Sequence, residues 1–135
     1  MKTTKLDILI KNLFAKKLVF LSSSVVPAAR GYVKVKRDIN ENYIIQVQIS
    51  NLAEVNRLQP SKQAYAVWMV TDREITVSIG QINSSTTFLS TKLNASFKKI
   101  SSSKPIKIFI TAEEDAGTQT PNEQVVLSTD RFYLD

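Results

Sequence analysis

Four carboxylates stand closest together in the chain: Glu113, Glu114 and Asp115 in succession, with Glu123 beyond an intervening Gly117 and Pro121. Oxygen ligands in a flexible loop suit Ca²⁺, and two carboxyl groups held apart suit general acid and base work. Neither chemistry fits this spacing. The alternating Asp/Asn pattern of a calcium-binding loop is missing, and adjacent residues of a strand point to opposite faces. The run is expected to be a solvated acidic turn, with Glu113, Glu114 and Asp115 as candidate contacts for a partner and no metal or cofactor.

The rest of the chain offers little that could replace them. There is no Cys, which excludes disulfides, thiolate zinc sites and thiol nucleophiles, and no His, the commonest general base. Ser22 to Ser24 lie near Lys16 and Lys17, and Ser101 to Ser103 near Lys104, but no Ser-x-x-Lys motif with its partner sequences is present. Gly31, Gly80 and Gly117 are too dispersed to cradle a phosphate. No enzymatic activity is expected.

The formal charge of +6 raises binding to nucleic acid or to an anionic membrane surface. The basic residues are spread along the sequence, at Lys2, Lys5, Lys11, Lys16 and Lys17, then Lys34, Lys36 and Arg37, then Lys92, Lys98, Lys99, Lys104 and Lys107. Tyr32-Val33-Lys34-Val35-Lys36 and Phe97-Lys98-Lys99 partly fit the basic and aromatic interleaving of single-strand binders, but an exposed basic strand face explains them as well. A nucleic-acid partner is therefore not expected.

These residues must be positioned by a chain whose patterning changes near Leu18. From Thr4 to Lys17, Leu6, Leu9, Ile10, Leu13 and Phe14 recur at the spacing of one helical face, which predicts an amphipathic helix with Leu9 and Leu13 as candidate contacts. Leu18-Val19-Phe20-Leu21 is too soon broken by Ser22-Ser23-Ser24 to make a good secretory signal, and no run approaches the length of a membrane span, so the chain is expected to be soluble as written.

Strand patterning follows, at Leu18 to Val26, Tyr32 to Arg37, Tyr43 to Ser50, Ala64 to Thr71, Ile75 to Ile82, Thr86 to Leu93, Ile106 to Thr111 and Gln124 to Ser128. Asp38 to Asn42 and Asp72 to Glu74 read as tight links. Tyr43, Ile45, Val47 and Ile49 form one apolar face. The nearly continuous apolar run Ala64 to Val70 predicts a central strand covered on both sides, with Trp68 anchoring the core.

Tyr65-Ala66-Val67-Trp68 resembles the Tyr-x-Leu-Trp strand in the C-terminal domain of anti-sigma-K factors. Ile108 to Thr111, Glu113, Gly117, Thr120-Pro121 and Val125 to Leu127 are similar to that family's strand, acidic residue, Gly turn, Thr-Pro pair and aliphatic strand, and Gly80 matches its Gly in the intervening strand. The resemblance covers about Val25 to Thr129. Small uncharacterised exported proteins of Bacteroidetes type look similar too, in the Val-x-Pro-Ala-Ala opening, Asn51-Leu52-Ala53, Arg57-Leu58 and Ile110-Thr111-Ala112-Glu113. The resemblance implies a sandwich acting as a sensory or protein-interaction module in an extracytoplasmic setting. Residues Met1 to Lys17 are too short for a sigma-binding domain and too charged for a membrane helix, so the resemblance supports the fold more than transcriptional control.

The expectation is an all-β, antiparallel, immunoglobulin-like β-sandwich of seven or eight strands, residues 18–135, preceded by an amphipathic helix or extension, residues 1–17. Its expected function is non-enzymatic interaction or sensing, with an unidentified protein partner. Three alternatives are open. One is a peripheral envelope protein held on anionic lipid by its N-terminal helix. Another is a carbohydrate- or peptide-binding sandwich using loops around Asn83 to Thr87 and Ala112 to Asn122, and the third is self-association through the helix or an edge strand.

Overall fold

The computed structural model describes residues 15–53, 55–58, 62–82, 92–115, 117–122 and 124–134. Among them run eight strands: β1 (Lys16–Val19), β2 (Arg30–Arg37), β3 (Tyr43–Ala53), β4 (Ala64–Thr71), β5 (Thr76–Ile82), β6 (Lys92–Ser101), β7 (Pro105–Glu113) and β8 (Val125–Ser128). They form two four-stranded antiparallel sheets, ordered β1-β2-β3-β6 and β5-β4-β7-β8, hereafter sheets A and B. The two sheets share one apolar core, so the architecture is a β-sandwich.

Strand periodicity decides what each sheet buries. In sheet A, Val33 and Val35 of β2 stand opposite Val47 and Ile45 of β3, and all four are buried, while Tyr32, Lys34 and Lys36 point the other way. In sheet B, Tyr65, Val67 and Met69 of β4 meet Ile108, Ile110 and Ala112 of β7 in the same core. Fully burying each larger aliphatic side chain contributes about 1.5–3 kcal/mol. Both sheets therefore lose much of their stability if separated.

β4 is covered on both faces, as its apolar run predicts: Ala64, Ala66 and Trp68 are also buried. Trp68 departs from expectation in its direction. Its alternation with Val67 and Met69 sends the indole to the face of sheet B turned away from sheet A, where it stacks on Phe109 with ring centroids 6.4 Å apart.

Two glycines permit close approaches. A methyl group at Gly80 would lie 2.2 Å from the Phe97 ring, so the bare backbone of β5 admits an aromatic from the facing β6. At Gly31 it would lie 2.4 Å from the Gln48 carbonyl oxygen of the neighbouring strand.

Two elements differ from the sequence expectation. Lys16 and Lys17 belong to β1 rather than to a helix, and β1 ends at Val19 instead of reaching Val26. The Ser23 hydroxyl accepts the N–H groups of Val25 and Val26, at 3.2 and 2.8 Å, bending the segment that apolar content alone marked as strand. The rest of the expected helix, with Leu9 and Leu13, lies outside the described residues. Of the strand expected at Thr86 to Leu93, Lys92 and Leu93 open β6 and the other residues lie outside the described residues; β6 runs on to Ser101, past the expected end.

The segment after β1 and the tail after β8 are tied to the sheets. The Phe20 N–H donates to Gly31 of sheet A at 3.0 Å, and the next amide, Leu21, donates to Ser128 of sheet B at 2.9 Å. Beyond β8, the amides of Thr129 and Phe132 continue along β7 by donating to Ile108 and Ile106. The Lys16 ammonium donates to the Tyr133 carbonyl at 2.8 Å, joining the start of β1 to this tail.

Candidate functional site

The hairpin of β7 and β8 brings the sequence's carboxylates to one end of sheet B and gives each a different environment. Glu113, the last residue of β7, is buried. Its Oε2 accepts from the Thr111 hydroxyl and from the Asn122 N–H at 2.8 Å, and Thr111 in turn accepts the Trp68 indole N–H at 2.8 Å. A buried carboxylate needs such donors, because an unpaired one would be strongly penalised. Glu113 thus anchors the returning loop to the strand, and the structure places it away from the surface expected of a partner contact.

Its two neighbours follow the end of β7, in the turn. Glu114 is exposed and pairs with the buried Lys62 at 3.4 Å, linking the loop to the segment before β4. Asp115 is exposed and accepts the Gly117 N–H at 2.8 Å, closing the turn. Glu123 lies outside the described residues. Among the described residues no group of three or more carboxylates could hold a metal ion.

A different surface emerges on the outer face of sheet A. Strand alternation and register set Lys17 opposite Lys34, Lys34 opposite Gln46 and Gln46 opposite Lys98, so one row crosses all four strands. The adjacent row is Val19, Tyr32, Gln48 and Ser96, and Lys36 and Arg30 stand on either side along β2. No Asp or Glu occupies an outward position of these four strands. Lys17, Arg30, Lys34 and Lys98 are exposed.

Tyr32 lies at the centre of this face. The Lys17 ammonium is 4.3 Å from its ring centroid and that of Lys34 5.7 Å, both within cation–π range. Beside it, Lys17, Val19, Arg30, Gln48 and Ser50 border a shallow cleft of about 280 Å³. Two lysines directly opposite on paired strands repel each other, and the ring only partly offsets this. An anion seated here would relieve that repulsion.

Sequence inspection found these basic residues but scattered them, because Lys17, Lys34 and Lys98 are distant in the chain. Only the antiparallel order β1-β2-β3-β6 collects them. The alternation Tyr32, Lys34, Lys36 was a legible part of the signal, and the contribution of β1 and β6 was not.

Comparison with known proteins finds no matching family model, no matching curated protein and no matching solved structure. Among the described residues no helix is long and apolar enough to cross a membrane.

Proposed function

We propose that the protein is a non-enzymatic interaction module with an immunoglobulin-like sandwich, and that it docks an acidic surface of a partner protein on the outer face of sheet A. The observation that carries the reading is the direct opposition of Lys17 and Lys34 beside Tyr32, on a face without a carboxylate. Such a face attracts and orients an acidic partner while repelling basic ones. A single tyrosine offers little of the repeated stacking that single-stranded nucleic acid uses, which favours protein as the partner.

The strand order supports the immunoglobulin-like part. β3 lies beside β6 and β4 beside β7, with β8 next, as B lies beside E and C beside F and G in that fold, and the lone Trp falls on the strand equivalent to C. The resemblance to the C-terminal domain of anti-sigma-K factors favours the same sensory or interaction role and an extracytoplasmic setting.

The test uses the triple variant Lys17→Glu, Lys34→Glu, Lys98→Glu, with its fold checked by circular dichroism. Poly-glutamate should bind the native chain at low ionic strength and lose nearly all affinity for the variant. Equal binding by both would overturn the assignment to this face. Stronger binding of a single-stranded oligonucleotide than of poly-glutamate at matched charge would overturn the choice of partner.

A further inference from the structure

A cleft of about 620 Å³, within the range of small-molecule sites, opens at one end of the sandwich where the β2–β3, β4–β5 and β6–β7 turns converge. Each turn is fixed by its own hydrogen bonds. The Asp38 carboxylate accepts the N–H groups of Asn40 and Asn42, the Thr71 hydroxyl those of Arg73 and Ile75, and the Ser101 hydroxyl that of Ser103. The Asp72 N–H donates to the Lys104 carbonyl at 2.9 Å, joining the second turn to the third. The cleft is thus shaped before anything enters it.

Three cations line it: Arg37, Arg73 and Lys104. Arg37 stacks its guanidinium over the Tyr43 ring, 4.9 Å from the centroid, and donates from Nη2 to the Glu41 carbonyl at 2.8 Å. Its Nε is nevertheless buried without an acceptor, alone in this among the side-chain nitrogens and oxygens of the described residues. A buried guanidinium N–H without a partner carries a full desolvation cost. The ion pairs among the described residues, Lys62 with Glu114 and Arg131 with Glu74, leave all three cations of the cleft unpaired although Glu41 and Asp72 also line it.

We infer that this cleft binds a small-molecule oxyanion, a carboxylate or phosphate group that pairs with the Arg37 guanidinium while Arg73 and Lys104 balance its charge. Arg37 supplies direction, because its planar fork is held by Tyr43 and by the Glu41 carbonyl, and a carboxylate or phosphate matches that fork. Arg73 and Lys104 come from turns tied to each other, so their positive charge faces one region. This site is independent of the basic face of sheet A.

The experiment follows the Arg37 Nε–Hε resonance of the ¹⁵N-labelled full chain during titration with inorganic phosphate, and separately with acetate, each against sodium chloride at equal ionic strength. A saturable shift with phosphate, with acetate or with both, beyond the chloride control, is expected and identifies the anion. The double variant Arg73→Ala, Lys104→Ala should weaken it at least about tenfold, because two of the three charges are gone. Arg37→Lys should weaken binding similarly, read from the backbone amides of Arg73 and Lys104. No shift beyond the chloride control, or undiminished binding by the double variant, would overturn the inference.

Discussion

Trp68 and Thr111 are joined across two paired strands by an indole N–H that donates to the threonine hydroxyl at 2.8 Å, and both residues are completely inaccessible to solvent. The hydroxyl in turn donates a hydrogen bond to Glu113, whose carboxylate accepts from the Asn122 amide. Thr111→Val keeps the shape and removes the middle of this chain. It should destabilise the fold by about 1–3 kcal/mol, the penalty for stranding a buried donor, measured as a lower urea midpoint at unchanged slope.

Tyr65 predicts an alkaline limit to stability. Its ring is buried and its hydroxyl donates to the Ala53 carbonyl at 2.5 Å; burial raises its pKa well above the ordinary value of 10.0. The unfolded chain then releases the phenolic proton at lower pH than the folded chain does. This stabilising contribution is complete below about pH 10 and declines as pH rises from there towards the higher folded-state value. Denaturant titrations across that interval should show the decline in the native protein and a shallower one in Tyr65→Phe.

Gly80 and Gly31 should respond differently to the same substitution. Gly80→Ala forces a methyl group into the Phe97 ring and should cost about 1–3 kcal/mol, with part of the loss recovered when Phe97→Leu is added. Gly31→Ala meets the backbone carbonyl of Gln48, which no side-chain change can move. Its loss should therefore be larger and resist rescue, and thermal unfolding of the three variants would show whether it does.

Glu41 adopts a positive φ of 65° in the β2–β3 turn, a conformation that costs a side-chain-bearing residue roughly 1–2 kcal/mol. Arg37 bonds only the backbone carbonyl there. Glu41→Gly should raise stability by up to about 1 kcal/mol, after the extra freedom of the unfolded glycine is subtracted. A fall in melting temperature would contradict this account of the turn.

The fold was legible where side chains alternate strongly or run continuously apolar. β4 falls on the predicted Ala64 to Thr71, and the β7–β8 hairpin was visible from its two aliphatic strands and acidic turn. β6 was not, because Phe97 is flanked by Ser96 and Lys98, and Lys99 follows, so local polarity concealed a strand whose pairing comes from β3. The side on which Trp68 packs was equally hidden, since a strand apolar on both faces carries no mark of which face looks across the sandwich.

The site was less legible for a related reason. The acidic cluster drew attention as a run of like residues, yet the end of β7 separates a buried Glu113 from an exposed Glu114. Lys17, Lys34 and Lys98 drew none, because their proximity is a property of register rather than of sequence. The turn cleft likewise depends on two hairpins and the β6–β7 crossover between the sheets ending together.

The consecutive amides of Phe20 and Leu21, bonded one to each sheet, bear on how this molecule could polymerise. The segment after β1 and the tail after β8 bridge that flank of the sandwich, where the Ser128 and Tyr133 carbonyls are already engaged by Leu21 and Lys16. The opposite flank ends in β5 and β6. There Lys98 and Lys99 place two adjacent charges on the outermost strand of sheet A, a gatekeeper against fibre formation written into the strand that the sequence hid best.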